Sequence, residues 1–82
     1  MTTMGFDIPD FEKVLTARQT EVVRLAALGL TAKETARRLG ISKTTVEGHL
    51  TEARRRVGAN TKSHLVGLAV AAGIVARVNP DV

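Results

Sequence analysis

Apolar residues recur along this chain at helical spacing, and most runs are bracketed by a capping residue and a glycine. The first run opens at Thr16, an N-cap with Gln19 at the capping-box position and Glu21 just beyond the first turn. Val22, Leu25 and Ala26 form its apolar face, and Gly29 is a natural stop. A second helix opens at Thr31, where Thr31-Ala32-Lys33-Glu34 is a full capping box. Ala32, Thr35, Ala36 and Leu39 supply its buried stripe, and Gly40 closes it. After a turn through Gly40-Ile41, a third helix opens at Ser42. Val46, Leu50, Ala53 and Val57 then stand on one face, and Gly58 ends the run. A fourth helix runs from Thr61 to about Ala72, with Gly73 as its stop. The pattern predicts an all-α fold of four helices.

The chain of 82 residues makes one domain, with residues 15–75 as its body. Residues 1–14 read as an N-terminal arm, either mobile or adding a short turn from Asp10 that buries Ile8 or Phe11. Residues 76–82, with Pro80, read as a C-terminal tail. Phe6 and Phe11 are the only aromatics, which points away from a small β-fold. With no Cys, disulfides, thiol catalysis and Cys-based zinc sites are excluded, and a reducing cytoplasm would suit the chain. The longest apolar run, Leu65 to Ala76, is short of the roughly 20 residues a membrane helix needs. The first ten residues are acidic and lack the apolar core of a signal peptide.

Net charge is +4, and its distribution says more than its size. Residues 1–30 are slightly acidic, whereas residues 31–58 carry Lys33, Arg37, Arg38, Lys43, Arg54, Arg55 and Arg56 against Glu34, Glu47 and Glu52. A basic middle on a small domain suits a polyanion, most often nucleic acid, or is simply a solvated charged face.

Two short helices joined through Leu39-Gly40-Ile41, the second longer and basic at its far end, describe a helix-turn-helix. On a helical wheel the side opposite Val46 and Leu50 carries Thr44, Gly48, Thr51 and Arg55, at about 100° per residue. This face is small in its first two turns and basic at its end. Small residues would let the helix sink into a major groove about 12 Å wide. Gly48 should cost roughly 1 kcal/mol against Ala in mid-helix, which close approach to DNA would offset, or a well-capped domain would tolerate. The helix N-termini at Thr31 and Ser42 suit phosphates, with Lys33, Lys43, Thr44 and Thr45 beside them.

The segments Leu15-Thr16-Ala17-Arg18-Gln19-Thr20-Glu21-Val22-Val23, Gly29 through Ser42, and Thr44-Thr45-Val46-Glu47-Gly48-His49-Leu50 resemble the LuxR-type (LuxR/GerE) helix-turn-helix domain. The likeness continues through Val57-Gly58 to Ile74-Val75 and covers 61 of the 82 residues. It implies a four-helix domain that binds double-stranded DNA as a dimer and regulates bacterial transcription. The third helix would read the major groove and the fourth would supply the dimer contact. Most such domains follow a receiver or ligand-binding domain. Only about 14 residues precede this one, so a stand-alone member or a severed C-terminal domain is expected. Two positions depart from the family pattern, which commonly has Lys where this chain has Glu47 and a larger residue where it has Gly48. The Glu47 carboxylate either accepts from a cytosine N4 amine or pairs with Lys43 one turn back.

Thr44, Gly48, Thr51 and Glu47 are therefore expected at the bases. Lys33, Lys43, Thr45, Arg54 and Arg55, with the helix start at Ser42, are expected at phosphates. In the fourth helix Leu65, Leu68, Ala69 and Ala72 make one apolar face, and Val66 and Val70 continue into small Ser63, Gly67 and Ala71. So wide an apolar arc fits either a two-fold contact with a second copy or a helix engulfed by the core. His49 and His64 lie on different helices, so no metal site is expected, and no cofactor is implied. No nucleophile–base pairing or glycine-rich phosphate loop suggests an enzyme. The expected partners are double-stranded DNA, a homodimer mate and, for a regulator of transcription, RNA polymerase, in the cytoplasm at the nucleoid. Two rivals share these features: a sigma-factor region 4 domain, favoured by Ala53-Arg54-Arg55-Arg56, and a helix-turn-helix kept as a protein-binding adaptor or anti-activator. The organised segment after Gly58 argues against the former.

Overall fold

The computed structural model of the chain describes residues 8–75; the expected C-terminal tail and the first seven residues of the arm lie outside them. Among the described residues five helices follow in order: α1 (Phe11–Val14), α2 (Ala17–Ala27), α3 (Ala32–Leu39), α4 (Lys43–Val57) and α5 (Lys62–Ala71). The four helices anticipated from the caps are α2 to α5. The fifth, α1, is a single turn.

Each start has a local cause. The Gln19 N–H donates to Thr16 Oγ1 at 3.1 Å, and the Thr16 N–H donates to Gln19 Oε1 at 3.0 Å. The same reciprocal box closes Thr31 and Glu34, at 3.1 and 2.8 Å. Ser42 and Thr61 accept from the N–H groups of Thr45 and His64, both at 3.0 Å. Caps of this kind contribute about 1 kcal/mol each and fix where a helix begins. The stops are as local. Gly40 takes a left-handed φ of 71°, which lets the Ile41 N–H reach the Ala36 carbonyl at 3.1 Å. That reversal turns the chain within two residues and aims α4 across α3.

α2 lies at the centre, packed against both α4 and α5, while α3 packs on α4. Val22, Val23, Leu25, Val46, Ala53, Leu65 and Ala69 are almost wholly buried, and Ile74 closes the far end. Full burial of a Val, Leu or Ile side chain contributes about 1.5–3 kcal/mol, so these contacts hold the helices together. Val23 lies outside the apolar stripe expected of its helix, because neighbours cover α2 on two sides.

Before Thr16 the chain forms a turn from Asp10, whose carboxylate accepts from the Glu12 N–H at 3.1 Å. Of the two apolar candidates there, Phe11 is buried, at 2% exposure, and Ile8 stays exposed. Phe11 joins Leu15 in the main core, against which Ile41 and Val57 also pack. No helix among the described residues is long and apolar enough to cross a membrane.

Candidate nucleic-acid interface

α3, the Gly40-Ile41 turn and α4 form the helix-turn-helix. Its second helix buries Val46, Leu50 and Ala53 against the core, which fixes the direction of the opposite face. On that face Thr44, Gly48, Thr51 and Arg55 are exposed, with Thr45 and Glu47 at its edges. The helix wheel therefore places these six residues on solvent as the spacing requires. A Cβ added to Gly48 would meet nothing within 4 Å. Packing does not require glycine there.

The first turn of α4 is a concentration of donors. Ser42 is occupied as the cap, and its hydroxyl lies 2.8 Å from that of Thr45. The N–H groups of Lys43 and Thr44 belong to the opening turn, where an α-helix has no acceptors of its own. Lys33, on the first turn of α3, is likewise exposed. Lys43 and Glu47 do form the anticipated pair, with Nζ 3.9 Å from the carboxylate and both side chains more than half exposed. That distance is beyond a hydrogen bond, so Glu47 keeps its accepting oxygens available.

The far end of α4 differs from a plain basic cluster. Glu52, at the wheel's edge and unassigned by the sequence pattern, accepts from Arg55 Nε at 3.1 Å and from Arg55 Nη2. It also accepts from Arg56 Nε at 2.8 Å. These two guanidinium groups hold the Glu52 carboxyl well below its ordinary value of 4.5, at about 2, chiefly through the hydrogen bonds from Arg55 and then Arg56. Arg55 is in turn held more firmly protonated by Glu52. Arg56 donates from Nη1 to the Val14 carbonyl at 3.1 Å, tying α4 to the end of α1. Arg54 turns to the other side, with Nη2 donating to the Asn60 carbonyl at 3.2 Å and a buried Nε. The Asn60 N–H donates to His64 Nδ1 at 3.2 Å, so His64 braces the α4–α5 joint. His49 is half-buried on α4. Spacing alone gave no signal for these long-range contacts, except that a carboxylate three and four residues before two arginines marks a helical ion-pair site.

On α5, Leu65 and Ala69 are buried, while Ser63, Gly67, Val70 and Ala71 are exposed and Val66 is half-exposed. Val70 leaves 55% of its surface open. Within one chain, then, the core engulfs only one side of this helix.

Comparison with known proteins agrees with this geometry. Residues 13–69 match the family described as GerE, bacterial regulatory proteins of the luxR family. The transcriptional regulatory protein MctR of Rhizobium johnstonii is 32% identical over 92% of this chain and 35% of its own length. The transcriptional activator protein BjaR1 of Bradyrhizobium diazoefficiens is 41% identical over 68% of this chain and 23% of its own. Among solved structures, one described as a Vibrio cholera VqmA–ligand–DNA complex superposes with a TM-score of 0.74 and 35% identity. It covers 95% of this chain and 32% of that one. The chain thus spans about a third or less of the length of these relatives. By name, both MctR and BjaR1 are regulators of transcription. The chain belongs to the luxR family of bacterial regulatory proteins and carries that family's DNA-binding helix-turn-helix domain.

Proposed function

We propose that the domain binds double-stranded DNA sequence-specifically, as a homodimer, and regulates transcription by entering the major groove with α4. The observation that carries this is the α4 face itself: exposed, small over two turns, and free of any packing need for glycine at Gly48. In this reading Thr44, Gly48 and Thr51, with Glu47 beside them, approach base edges. Lys33, Lys43, Thr45 and Arg55 meet phosphates, together with the α4 N-terminus at Ser42. Arg54, anchored on Asn60, borders that surface. The likeness to VqmA, solved in a complex with DNA, supports DNA as the partner.

The exposed small residues Ser63, Val66, Gly67, Val70 and Ala71 suit close approach of a second α5 across a two-fold axis. Such a dimer would meet two half-sites about one helical turn apart, roughly 10 base pairs. It would act in the cytoplasm on chromosomal DNA and pass its effect to RNA polymerase.

Selection of bound sequences from a random duplex pool tests this reading. Enrichment of an inverted pair of half-sites is the expected result. Binding without any enriched motif would contradict sequence reading, and no retention of duplex at low salt would favour a protein-binding adaptor.

A further inference from the structure

The sequence places Arg54 and Arg55 at phosphates with Arg56 beside them, but the folded helix does not present the three arginines alike. Arg54 is held at the α4–α5 joint by Asn60. Arg56 is shared between Glu52 and the Val14 carbonyl. Arg55 gives Nε and Nη2 to Glu52 while 70% of its side chain stays exposed. We propose that Glu52 is a specificity-determining positioning residue, withdrawing Arg56 and one edge of Arg55 so that the run offers one directed phosphate contact in place of diffuse ones. This rests on α4 being the DNA-contacting helix.

The physical reason lies in what free arginines do. Sequence-independent affinity follows the number of phosphates a protein neutralises. An arginine on a long unrestrained side chain adapts to any backbone and strengthens binding to every duplex. A guanidinium fixed by a two-pronged carboxylate contact presents its remaining edge in one orientation, and rewards only a duplex seated in the matching register. The Glu52 carboxylate stays ionised far below neutral pH, so the restraint is permanent rather than switched. The same carboxylate anchors Arg56 beside the Val14 carbonyl, which keeps that guanidinium at the α1–α2 joint.

The test compares wild type, Glu52→Gln and Glu21→Gln over a salt series, on a random duplex and on the duplex selected from a random pool. Glu21, paired with Arg18 on α2, makes Glu21→Gln a charge-matched control. Glu52→Gln keeps an accepting oxygen on α4, and circular dichroism verifies its fold. Glu52→Gln is expected to steepen the log–log salt slope on random duplex by about one unit. It should also raise random-duplex affinity several-fold and narrow the ratio of selected to random binding. Glu21→Gln should match wild type. Adding Arg56→Gln to Glu52→Gln should return the slope to its wild-type value. An unchanged slope and ratio in Glu52→Gln, or an equal change in Glu21→Gln, overturns the proposal while leaving DNA binding intact. A double variant as steep as Glu52→Gln alone overturns the withdrawal of Arg56. Wild-type protein that binds no duplex overturns both readings together.

Discussion

Arg56, the penultimate residue of α4, donates to the carbonyl of Val14, forty-two positions earlier, at 3.1 Å. The contact joins the one-turn helix that buries Phe11 to the helix that faces solvent with Thr44, Gly48 and Thr51. Arg56→Ala removes it together with the pairing to Glu52. We expect a loss of about 1 kcal/mol in urea unfolding. Faster hydrogen exchange should follow at the Leu15 N–H, which donates to the Phe11 carbonyl across α1. The DNA salt slope should barely move. Unaltered exchange at Leu15 would show that α1 is held by Phe11 alone.

Gly48→Ala separates folding from binding. A Cβ there meets nothing, so the substitution should stabilise the domain by about 0.5–1 kcal/mol through the helix propensity of alanine. If the bare backbone is used against DNA, affinity for the selected duplex falls in the same protein. Stabilisation with full affinity would leave Gly48 without a part in the interface.

Much of this architecture is legible residue by residue. Thr16, Thr31, Ser42 and Thr61 announce their helices because a cap is satisfied within three residues of itself. Gly40 and Gly58 announce the stops because only a left-handed residue lets Ile41 and Ala59 reach back to Ala36 and Arg54. The α4 face follows from angular spacing alone. What stays hidden depends on distant partners. Phe11 is one apolar residue in a short turn, and only the groove beside α2 and α4 decides that it, and not Ile8, is core. The pairing of Glu52 with Arg55 and Arg56 is legible from their spacing, but Arg54 and Arg56 take their final positions only from Asn60 and Val14.

Acid should weaken one part of the fold predictably. The Glu52 carboxyl titrates at about 2 in the folded protein against an ordinary 4.5, so its pairing stabilises the fold fully above about 4.5. That contribution fades as pH falls from there towards 2. The difference in urea midpoint between wild type and Glu52→Gln should therefore shrink between pH 6 and pH 2.5. Because the pair is on the surface, added salt should shrink it too. A difference constant with pH would mean the carboxylate is not paired in solution.

Val70 is more than half exposed, so Val70→Asp should leave unfolding within about 0.5 kcal/mol of wild type. Placed at a two-fold α5 contact, it sets like charges face to face. Sedimentation should then find a weaker dimer, and binding to paired half-sites should drop more than binding to a single one. Equal self-association in the two proteins would move the dimer contact elsewhere.

If the solvent face of α4 holds duplex DNA, as proposed, salt-dependent duplex binding by wild type and Arg55→Ala reads that contact. Wild-type affinity is expected to fall steeply with salt. Arg55→Ala should weaken binding to both duplexes, the selected one more than the random one, and flatten the log–log slope on the selected duplex by about one unit. Equal affinities and equal slopes for the two proteins, or no duplex binding by wild type at low salt, would contradict it.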